Sequence, residues 1–380
     1  MNPELYLVAV NSPLPQPLTY LAPEDGRKLE RGQPVTIPLG SRKASGVIVR
    51  PATERPPADI VLKPILGPIH DRPPIPQAYM DWLEWLAQYY IYPLGHMLET
   101  VFPPLEKTPK IPRASKKSPP VKDYAERTPP PPLTMDQMKV LQDIQSQPGF
   151  HTHLVHGVTG SGKTEIYLHL LEEVLKSGKQ GLVLVPEISL TPQLIDRFSK
   201  RFPGEVAVLH SHLTPREKTT QWWNMVDKKR RILIGARSAL FCPLPDLGII
   251  VLDEEHEPSY KQDETLRYHA RDAAIVLACK LDIPIVLGSA TPSLESWNNA
   301  QQGKFRLHSI TQRVNARPLP EIEVVDLRQE HRRRKDEPSE LPFWLSDRLY
   351  DELVHVFQKN EQAALFLNRR GVAQTAQCHA

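Results

Sequence analysis

The stretch HGVTGSGKTE, residues 156–165, lies between an apolar segment and an amphipathic one, and the fold class can be inferred from it. Gly157, four further residues and then GKT reproduce the spacing of a phosphate-binding P-loop. Glycines let backbone N–H groups close around phosphate oxygens, and the following helix presents its positive end. The alternative is a glycine-rich turn with an incidental lysine, which the flanking segments disfavour. We expect ATP to be held by Gly157, Val158, Thr159, Gly160, Ser161, Gly162, Lys163 and Thr164.

Apolar runs alternate with amphipathic stretches from residue 133 onward. The runs are HLVH, GLVLVP, VAVLH, RILIG, GIIVLDEE and IPIVLGSAT, and such near-continuous apolar runs are typical of parallel strands buried on both faces. In EIYLHLLEEVLKSG, Ile166, Leu170 and Val174 share one helical face, and Gly178 ends the helix. The pattern predicts an α/β P-loop lobe with a parallel sheet over residues 133–310.

An acidic motif ends one of these runs, in GIIVLDEEH. We expect Asp253 and Thr164 to hold Mg²⁺ and Glu254 to orient the attacking water, so that Lys163, Asp253 and Glu254 are the predicted catalytic residues. Acids at the solvated end of a strand are common, so this interpretation depends on the P-loop. His256 is expected to read the γ-phosphate state or to couple it to LGSATPS, residues 287–293, although that segment can also be an ordinary strand-to-loop turn.

The N-terminal third is built differently, since 26 of the 40 prolines lie in the first 132 residues and exclude long helices there. Residues 1–104 read as a small, mostly β domain with strands LYLVAV, QPVTIPL and ASGVIVR and one helix, QAYMDWLEWLAQYY. We expect Trp82 and Trp85 to be core aromatics. Residues 105–132 are a proline-rich basic linker, either a solvated spacer or a contact for a nucleic-acid backbone.

Composition sets further limits. The net charge of +3 does not by itself indicate nucleic acid, and no apolar run is long enough to span a membrane. The N-terminus lacks the features of a signal peptide. The three cysteines, Cys242, Cys279 and Cys378, are scattered, which favours a reducing cytoplasm over a disulfide framework.

The order GxxxxGKT, LVPEISLTPQ, LHS, GARSALF, DEEH and SAT resembles the first, RecA-like motor lobe of superfamily 2 DNA helicases. More closely, VHGVTGSGKTEIY, DEEHEPSYKQDETLRYHARDAAI, LGSATPSLES and LFLNRRG resemble the PriA family of replication-restart helicases. The resemblance implies an ATP-dependent 3′–5′ DNA helicase that recognises stalled or collapsed forks and initiates restart through primosome assembly. It also implies a likeness of residues 1–104 to a domain that binds the 3′ end of a nascent strand.

The resemblance also assigns residue roles. Gln137 stands where such motors contact adenine; the alternative is a helix-surface glutamine. Residues 259–272, SYKQDETLRYHARD, resemble an aromatic-rich loop that couples single-stranded DNA to ATP hydrolysis, with a solvated, partly packed loop as the alternative. Tyrosines there would stack on bases and basic side chains would meet phosphates. The predicted DNA contacts are Arg237, Ser238, Tyr260, Lys261, Arg267, Tyr268 and Arg271.

The chain departs from the family pattern in several places. Thr19 stands where the family has an acidic residue for the terminal hydroxyl, and the linker replaces a winged-helix segment. Residues 311–380 read as a connector and the truncated start of a second lobe, with an exposed strand near 363–368. Cys378 stands where a zinc-binding module begins, but structural zinc needs four ligands, so this Zn²⁺ site is incomplete.

The implied partners are forked and single-stranded DNA, single-stranded DNA-binding protein and other primosome proteins. We expect a cytoplasmic monomer that associates with the nucleoid and not with a membrane. A second hypothesis is a non-catalytic fragment that binds forked or single-stranded DNA and binds ATP without hydrolysing it. A third, a small-molecule kinase, leaves DEEH, SAT and the aromatic-rich loop unexplained.

Overall fold

The computed structural model describes residues 4–57, 59–69, 72–103, 124–264, 266–314, 321–329, 341–342 and 344–366. These residues fall into two compact units, one on either side of residue 316. None of the helices in the described ranges is both long and apolar enough to cross a membrane.

The N-terminal part of the first unit is a five-stranded antiparallel sheet with strand order β2-β1-β4-β3-β5. Its strands are β1 Leu5–Val10, β2 Leu18–Leu21, β3 Pro34–Leu39, β4 Arg42–Pro51 and β5 Gly67–Pro68. The buried core of this sheet includes Tyr6, Val8 and Ile37. The three predicted strands are confirmed as β1, β3 and β4. The four-residue strand β2 was not predicted because it follows PLPQP, where prolines interrupt any strand pattern.

Two helices follow this sheet, α1 at Gln77–Tyr89 and α2 at Leu94–Glu99. Helix α1 is the predicted one and begins directly after Pro76. Helix α2 was not predicted, because its six residues are too few to show a helical period.

A seven-stranded parallel sheet forms the centre of the motor lobe, in the order β14-β6-β13-β10-β7-β9-β8. Its strands are β6 Thr152–Gly157, β7 Gln180–Leu184, β8 Val206–Leu209, β9 Ile232–Gly235, β10 Leu247–Asp253, β13 Ile285–Ser289 and β14 Arg306–Ile310. A small hairpin, β11 Lys261–Gln262 with β12 Tyr268–His269, lies outside it. The predicted parallel sheet is confirmed, and β14 adds an edge strand that was not predicted.

Six helices surround this sheet. They are α3 Met135–Gln145, α4 Lys163–Lys176, α5 Pro192–Arg201, α6 Pro215–Val226, α7 Ala270–Leu281 and α8 Leu294–Gln301. Short 3₁₀ turns occupy Glu187–Ser189, Arg237–Phe241 and Pro258–Tyr260. A capping box starts α6, where the side chains of Thr214 and Glu217 satisfy each other's backbone N–H groups. Gly178 has φ +77° just after α4, the left-handed conformation that ends helices.

The N-terminal domain and the motor lobe share one hydrophobic core. Helix α1 packs against α7, and the buried Trp82 indole donates a 2.8 Å hydrogen bond to the Ala273 carbonyl oxygen. The Tyr79 hydroxyl accepts from the Leu244 amide at 3.2 Å, and the Trp222 indole donates to the Val101 carbonyl at 2.8 Å. Trp82 is thus a core aromatic as predicted, while Trp85 is half-buried. The sequence did not predict that the two domains have a common core.

In the second unit, Ser346 caps a further helix, α9 at Asp347–Gln358, none of whose residues is buried. The strand predicted near residues 363–368 is absent from its described part, because residues 361–366 have no regular structure and Phe366 is 88% exposed. The remaining two residues of that prediction lie outside the described ranges.

Candidate functional site

The P-loop connects the end of β6 to the start of α4. Gly160 and Gly162 have φ of +83° and +79°, a region that residues with a Cβ atom rarely adopt. A Cβ atom at Gly162 would also lie 2.3 Å from the side-chain nitrogen Nε2 of Gln137. Both glycines are therefore required by the shape of the loop, as the P-loop pattern predicts.

Polar groups in the loop are available for phosphate. The Lys163 ammonium donates a 2.8 Å hydrogen bond to the Gly157 carbonyl oxygen and is 8% exposed. The buried Ser161 hydroxyl has no hydrogen-bond partner among the described residues. Thr164 is half-buried in the first turn of α4. This set of donors, together with the helix N-terminus, fits a nucleotide phosphate chain.

Gln137 joins α3 to the P-loop. Its side-chain oxygen caps the helix by accepting from the Thr134 amide at 2.9 Å, and its nitrogen donates to the Ser161 carbonyl at 3.0 Å. The residue is 2% exposed, so the alternative of a helix-surface glutamine is wrong. A contact of Gln137 with adenine stays a prediction.

Asp253 lies at the carboxyl end of β10, close to the P-loop. It pairs with Gly288 of β13, which in turn pairs with Val155 of β6. The Tyr167 hydroxyl of α4 donates to the Asp253 carboxylate at 2.9 Å. Burial, and then the negative charge of Glu254, raise the pKa of Asp253. A divalent cation would favour the charged carboxylate, so the arrangement is suited to Mg²⁺.

Tyr167 is a site residue that the sequence analysis missed. A Cβ atom at Gly288 would lie only 1.7 Å from the Tyr167 hydroxyl oxygen, so this glycine makes room for the hydrogen bond to Asp253. A sequence signal existed, because Tyr167 follows the GKT motif on the apolar face of α4, where a hydroxyl needs a partner.

The residues that follow Asp253 contact the end of β13. Glu254 has φ +46°, a left-handed conformation that is strained for a residue with a side chain. His256 Nδ1 lies 2.7 Å from the Ser289 hydroxyl oxygen, which also accepts from the Thr291 amide at 3.0 Å. His256 therefore contacts the LGSATPS segment directly, and coupling of the γ-phosphate state through this contact stays a prediction.

Glu255 and Arg271 form a buried ion pair, 3.1 Å long, that the sequence did not reveal. The Glu255 carboxylate also accepts from the Ser293 amide at 2.7 Å and from the Ser296 hydroxyl at 2.8 Å. Arg271 is 8% exposed and also donates to the Asp272 carboxylate at 2.9 Å. The prediction that Arg271 contacts DNA phosphate is wrong in this conformation, because its guanidinium is committed to buried carboxylate and hydroxyl partners.

Both tyrosines of the predicted DNA-coupling loop are in the core. Tyr260 is 1% exposed, and its hydroxyl donates to the carbonyl oxygens of Leu184 and Asp253 at 3.0 and 2.6 Å. Tyr268 is 3% exposed and packs edge-on against Phe241. Base stacking by these two tyrosines is contradicted, because their ring faces are covered by protein.

The basic residues of this region lie at the surface. Lys261 and Arg267, on either side of the hairpin tip, are exposed, and so is Ser238. Arg237 donates to the carbonyl oxygens of Ser259 and Lys261 at 2.9 and 2.8 Å, which fixes the hairpin to the end of β9. Lys261, Arg267, Arg237 and Ser238 therefore remain candidate DNA contacts.

The N-terminal domain contains a separate cavity of about 330 Å³. It is lined in part by Thr19, Tyr20, Gly40 and Lys63. The Lys63 ammonium donates to the Gly40 carbonyl at 3.0 Å. The Tyr20 hydroxyl donates to the Pro38 carbonyl at 3.1 Å, so this residue is fixed in the cavity wall.

Zinc binding rests on Cys378, which lies outside the described residues. Within the described ranges no group of three or more histidine, cysteine or acidic side chains is placed to hold a metal ion. Cys242 is buried and Cys279 exposed, and both are free thiols. The described residues therefore do not fit a zinc site.

Comparison with known proteins places two family models on this chain. The 3′ DNA-binding domain (3′BD) of PriA matches residues 7–103, and the DEAD/DEAH box helicase family matches residues 134–300. The first covers the antiparallel sheet with α1 and α2. The second runs from α3 into α8 and covers every strand of the parallel sheet except β14.

Curated relatives match over most of the chain. The replication restart protein PriA of Haemophilus influenzae is 35% identical, over 98% of this chain and 59% of its own length. That of Treponema pallidum is 35% identical over 100% of this chain and 56% of its own, and that of Bacillus subtilis is 48% identical over 66% and 31%. The chain thus spans less than two thirds of the length of each of these relatives.

Similar solved structures include RecG bound to a three-way DNA junction and the Hef helicase domain of Pyrococcus furiosus. The first is 22% identical, with a TM-score of 0.37 over 52% of this chain and 25% of that chain. The second is 20% identical, with a TM-score of 0.35 over 47% of this chain and 38% of that chain. At such TM-scores these similarities carry no functional argument.

Proposed function

This chain belongs to the PriA family of replication restart proteins, and from that premise we propose that it acts in an ATP-dependent 3′–5′ DNA helicase. Its role would be to recognise stalled or collapsed replication forks and initiate restart. The observation that carries the proposal is the meeting of the P-loop with Asp253 and Ser289 at one edge of the parallel sheet, in a chain that also carries a 3′ DNA-binding domain.

ATP hydrolysis would depend on groups at this edge of the sheet. The P-loop amides and Lys163 would bind the β- and γ-phosphates, and Thr164 and Asp253 would hold Mg²⁺. Glu254 follows Asp253 directly and would orient the attacking water. The contact of His256 with Ser289 supports transmission of the γ-phosphate state to the segment that begins α8.

Single-stranded DNA would lie across the loops that follow β8 and β9 and across the hairpin. Lys261 and Arg267 supply positive charge there, and Arg237 ties the hairpin to the sheet. The cavity beside Thr19 would receive the 3′ end of a nascent strand, with a hydroxyl in place of the family's carboxylate. Single-stranded DNA-binding protein and primosome proteins are proposed partners by family, in the bacterial cytoplasm at the nucleoid.

The test is DNA-stimulated ATP hydrolysis by the purified chain, with Lys163→Ala as the variant. We expect stimulation by single-stranded or forked DNA, and a loss of at least about a hundredfold in the variant, because an unshielded phosphate charge opposes transfer. Lys304→Ala, a change to an exposed lysine outside the site, is the matched control and should leave the rate unchanged.

The second hypothesis, a fork-binding module that binds ATP without hydrolysing it, predicts a different result. Nucleotide and forked DNA would both bind, with no turnover in either the unsubstituted chain or the variant. Hydrolysis that does not respond to DNA, or that persists in Lys163→Ala, would contradict the helicase proposal.

A further inference from the structure

The segment that follows β14 lies along the P-loop. Strands β14 and β6 are parallel neighbours that end side by side. Beyond their ends, the Val158 amide donates to the Ile310 carbonyl oxygen at 3.4 Å. The Val314 amide then donates to the Gly160 carbonyl oxygen at 3.2 Å. Residues 311–314, which we call the loop brace, therefore run beside the P-loop as far as its tip at Gly160.

Side-chain atoms of the loop brace also approach the P-loop closely. A Cβ atom at Gly162 would lie 3.1 Å from the Cγ2 atom of Val314. A Cβ atom at Gly160 would lie 4.0 Å from the Cγ atom of Arg313. Both glycines have the left-handed φ that the loop requires. The loop brace therefore packs against the two positions at which the P-loop has this conformation.

The hydrogen bond from Val314 orients a peptide group at the tip of the loop. In a planar trans peptide the carbonyl oxygen and the N–H point in opposite directions, so a donor that holds the oxygen also fixes the direction of the N–H. The N–H of this peptide belongs to Ser161, and it donates to the Val158 carbonyl oxygen at 3.0 Å. The peptide between Gly160 and Ser161 is thus held at both ends, and it closes the turn over residues 158–161.

Gln137 supports the next two peptides of the loop in the same way. Its side-chain nitrogen donates to the carbonyl oxygens of Ser161 and Gly162 at 3.0 and 3.4 Å. The N–H groups of these peptides belong to Gly162 and Lys163, at the start of α4, where a P-loop presents N–H groups to phosphate. Two segments that are far apart in the chain therefore support the P-loop, because Gln137 holds its helical end and Val314 holds its tip.

The tip depends on this support because the rest of the fold leaves it uncovered. Thr159 and Gly160 are both exposed. Among the residues that the structure describes, the Val314 amide is the donor to the Gly160 carbonyl oxygen. Without this bond the tip would sample more conformations in the free protein, and ordering them when a phosphate chain binds would cost affinity. A loop that is already held in one shape avoids that cost.

We propose that Val314 is a positioning residue of the ATP site, whose backbone amide holds the tip of the P-loop in the shape that receives the phosphate chain. Val314 acts through Gly160 and not by contact with the nucleotide. The inference rests on the proposed binding of ATP at the P-loop and adds a residue that lies outside the sequence motifs. Because linkage is reciprocal, a nucleotide that favours this shape also strengthens the hydrogen bond from Val314.

The first experiment measures the affinity of the full chain for a fluorescent ADP analogue in the presence of Mg²⁺. Val314→Pro deletes the amide donor, and we expect binding to weaken by about tenfold, the effect of losing one hydrogen bond. Gln312→Pro is the matched control, because it places a proline in the same loop brace at an amide that makes no hydrogen bond among the described residues. Its affinity should equal that of the unsubstituted chain.

A conservative variant separates the role of the amide from that of the side chain. Val314→Ile keeps both the N–H donor and a branched side chain, so it should bind the analogue as tightly as the unsubstituted chain does. Melting temperatures establish that the variants are folded. Unchanged affinity in Val314→Pro, or equal losses in the two proline variants, would overturn the proposal.

Hydrogen exchange tests the reciprocal effect on the unsubstituted chain and does not depend on any variant. Saturation with Mg²⁺ and ADP should slow exchange of the Val314 amide by about tenfold and leave exchange of the Gln312 amide unchanged. If the Val314 amide exchanges equally fast with and without nucleotide, the positioning role is disproved while nucleotide binding stands. If the unsubstituted chain binds no nucleotide, the proposed function itself fails.

Discussion

The Arg271 guanidinium lies 3.1 Å from the Glu255 carboxylate, and the two side chains are 10% and 0% exposed. The pair joins the start of α7 to the acidic motif after β10, and Ser293 and Ser296 tie it to α8. Two buried charges are stable only when both remain paired and hydrogen-bonded. Glu255 therefore holds three elements together directly beside Asp253 and Glu254.

Removing one partner of this pair should be strongly destabilising. Glu255→Gln removes the buried counter-ion of Arg271 and leaves only the exposed Asp272 carboxylate beside it, and we expect the free energy of unfolding to fall by about 3–5 kcal/mol. Denaturant unfolding followed by circular dichroism measures the change. The double variant Glu255→Gln/Arg271→Gln should recover part of the loss, because no unpaired charge remains.

A matched control for this prediction is Lys176→Ala. Lys176 pairs with Glu173 at 2.7 Å, but both are exposed, so its removal should leave the denaturation midpoint unchanged. Equal losses in Glu255→Gln and Lys176→Ala would show that the buried pair has no special role.

The seam between the domains should unfold as one unit with the motor lobe. Trp82→Phe deletes the indole N–H that donates to the Ala273 carbonyl and removes part of a fully buried ring, at a cost of about 1–3 kcal/mol. Calorimetry should show one transition that moves as a whole, because Trp82 packs in a core common to both domains. Trp85→Phe, at a half-buried position, is the control and should have a smaller effect. Two separate transitions, of which only one responds to Trp82→Phe, would contradict a shared core.

The sequence was sufficient to predict six of the seven strands of the motor lobe. Strands buried on both faces of a parallel sheet have apolar residues at every position, so runs such as GLVLVP are recognisable without any partner. The P-loop is equally local, because its glycines and Lys163 are consecutive. The position of Asp253 could also be predicted, because this residue ends a predicted strand and the parallel strands of one sheet end at the same edge.

Burial of polar groups could not be read in the same way. In the sequence alone Arg271 and Tyr260 look like surface residues that bind DNA, and only the fold places Glu255 and the Leu184 carbonyl beside them.

The common core of the two domains could have been predicted from α1, which is apolar on more than one stripe, since both Met80 and Trp82 are buried. A helix with so wide an apolar surface packs on two sides.

Gly288 should tolerate no larger residue while Tyr167 keeps its hydroxyl. In Gly288→Ala the new methyl group would lie 1.7 Å from that oxygen, so Tyr167 must move away from Asp253. We expect a lower melting temperature and weaker Mg²⁺-dependent nucleotide binding, measured with a fluorescent ADP analogue. Adding Tyr167→Phe should restore part of the stability, since the closest contact then becomes the ring carbon at 2.9 Å. Tyr167→Phe alone is the control, and the steric explanation fails if the second change restores nothing.

Acid should destabilise the motor lobe through its buried histidines. His153 is fully buried on β6, with Nδ1 3.0 Å from Nε2 of His308 on β14. Burial, and then the charge of His308, lower the pKa of His153 to about 3. Above pH 6.5 both the folded and unfolded states keep this ring neutral; below it only the unfolded state gains the proton, so stability is lost progressively down to about pH 3. Each such group lowers the free energy of unfolding by up to about 1.4 kcal/mol per pH unit.

Unfolding free energies measured across this range should therefore fall less steeply in His153→Leu/His308→Leu. His355→Leu, at an exposed position on α9, should retain the original slope. An unchanged slope in the double variant would assign the acid sensitivity to other groups.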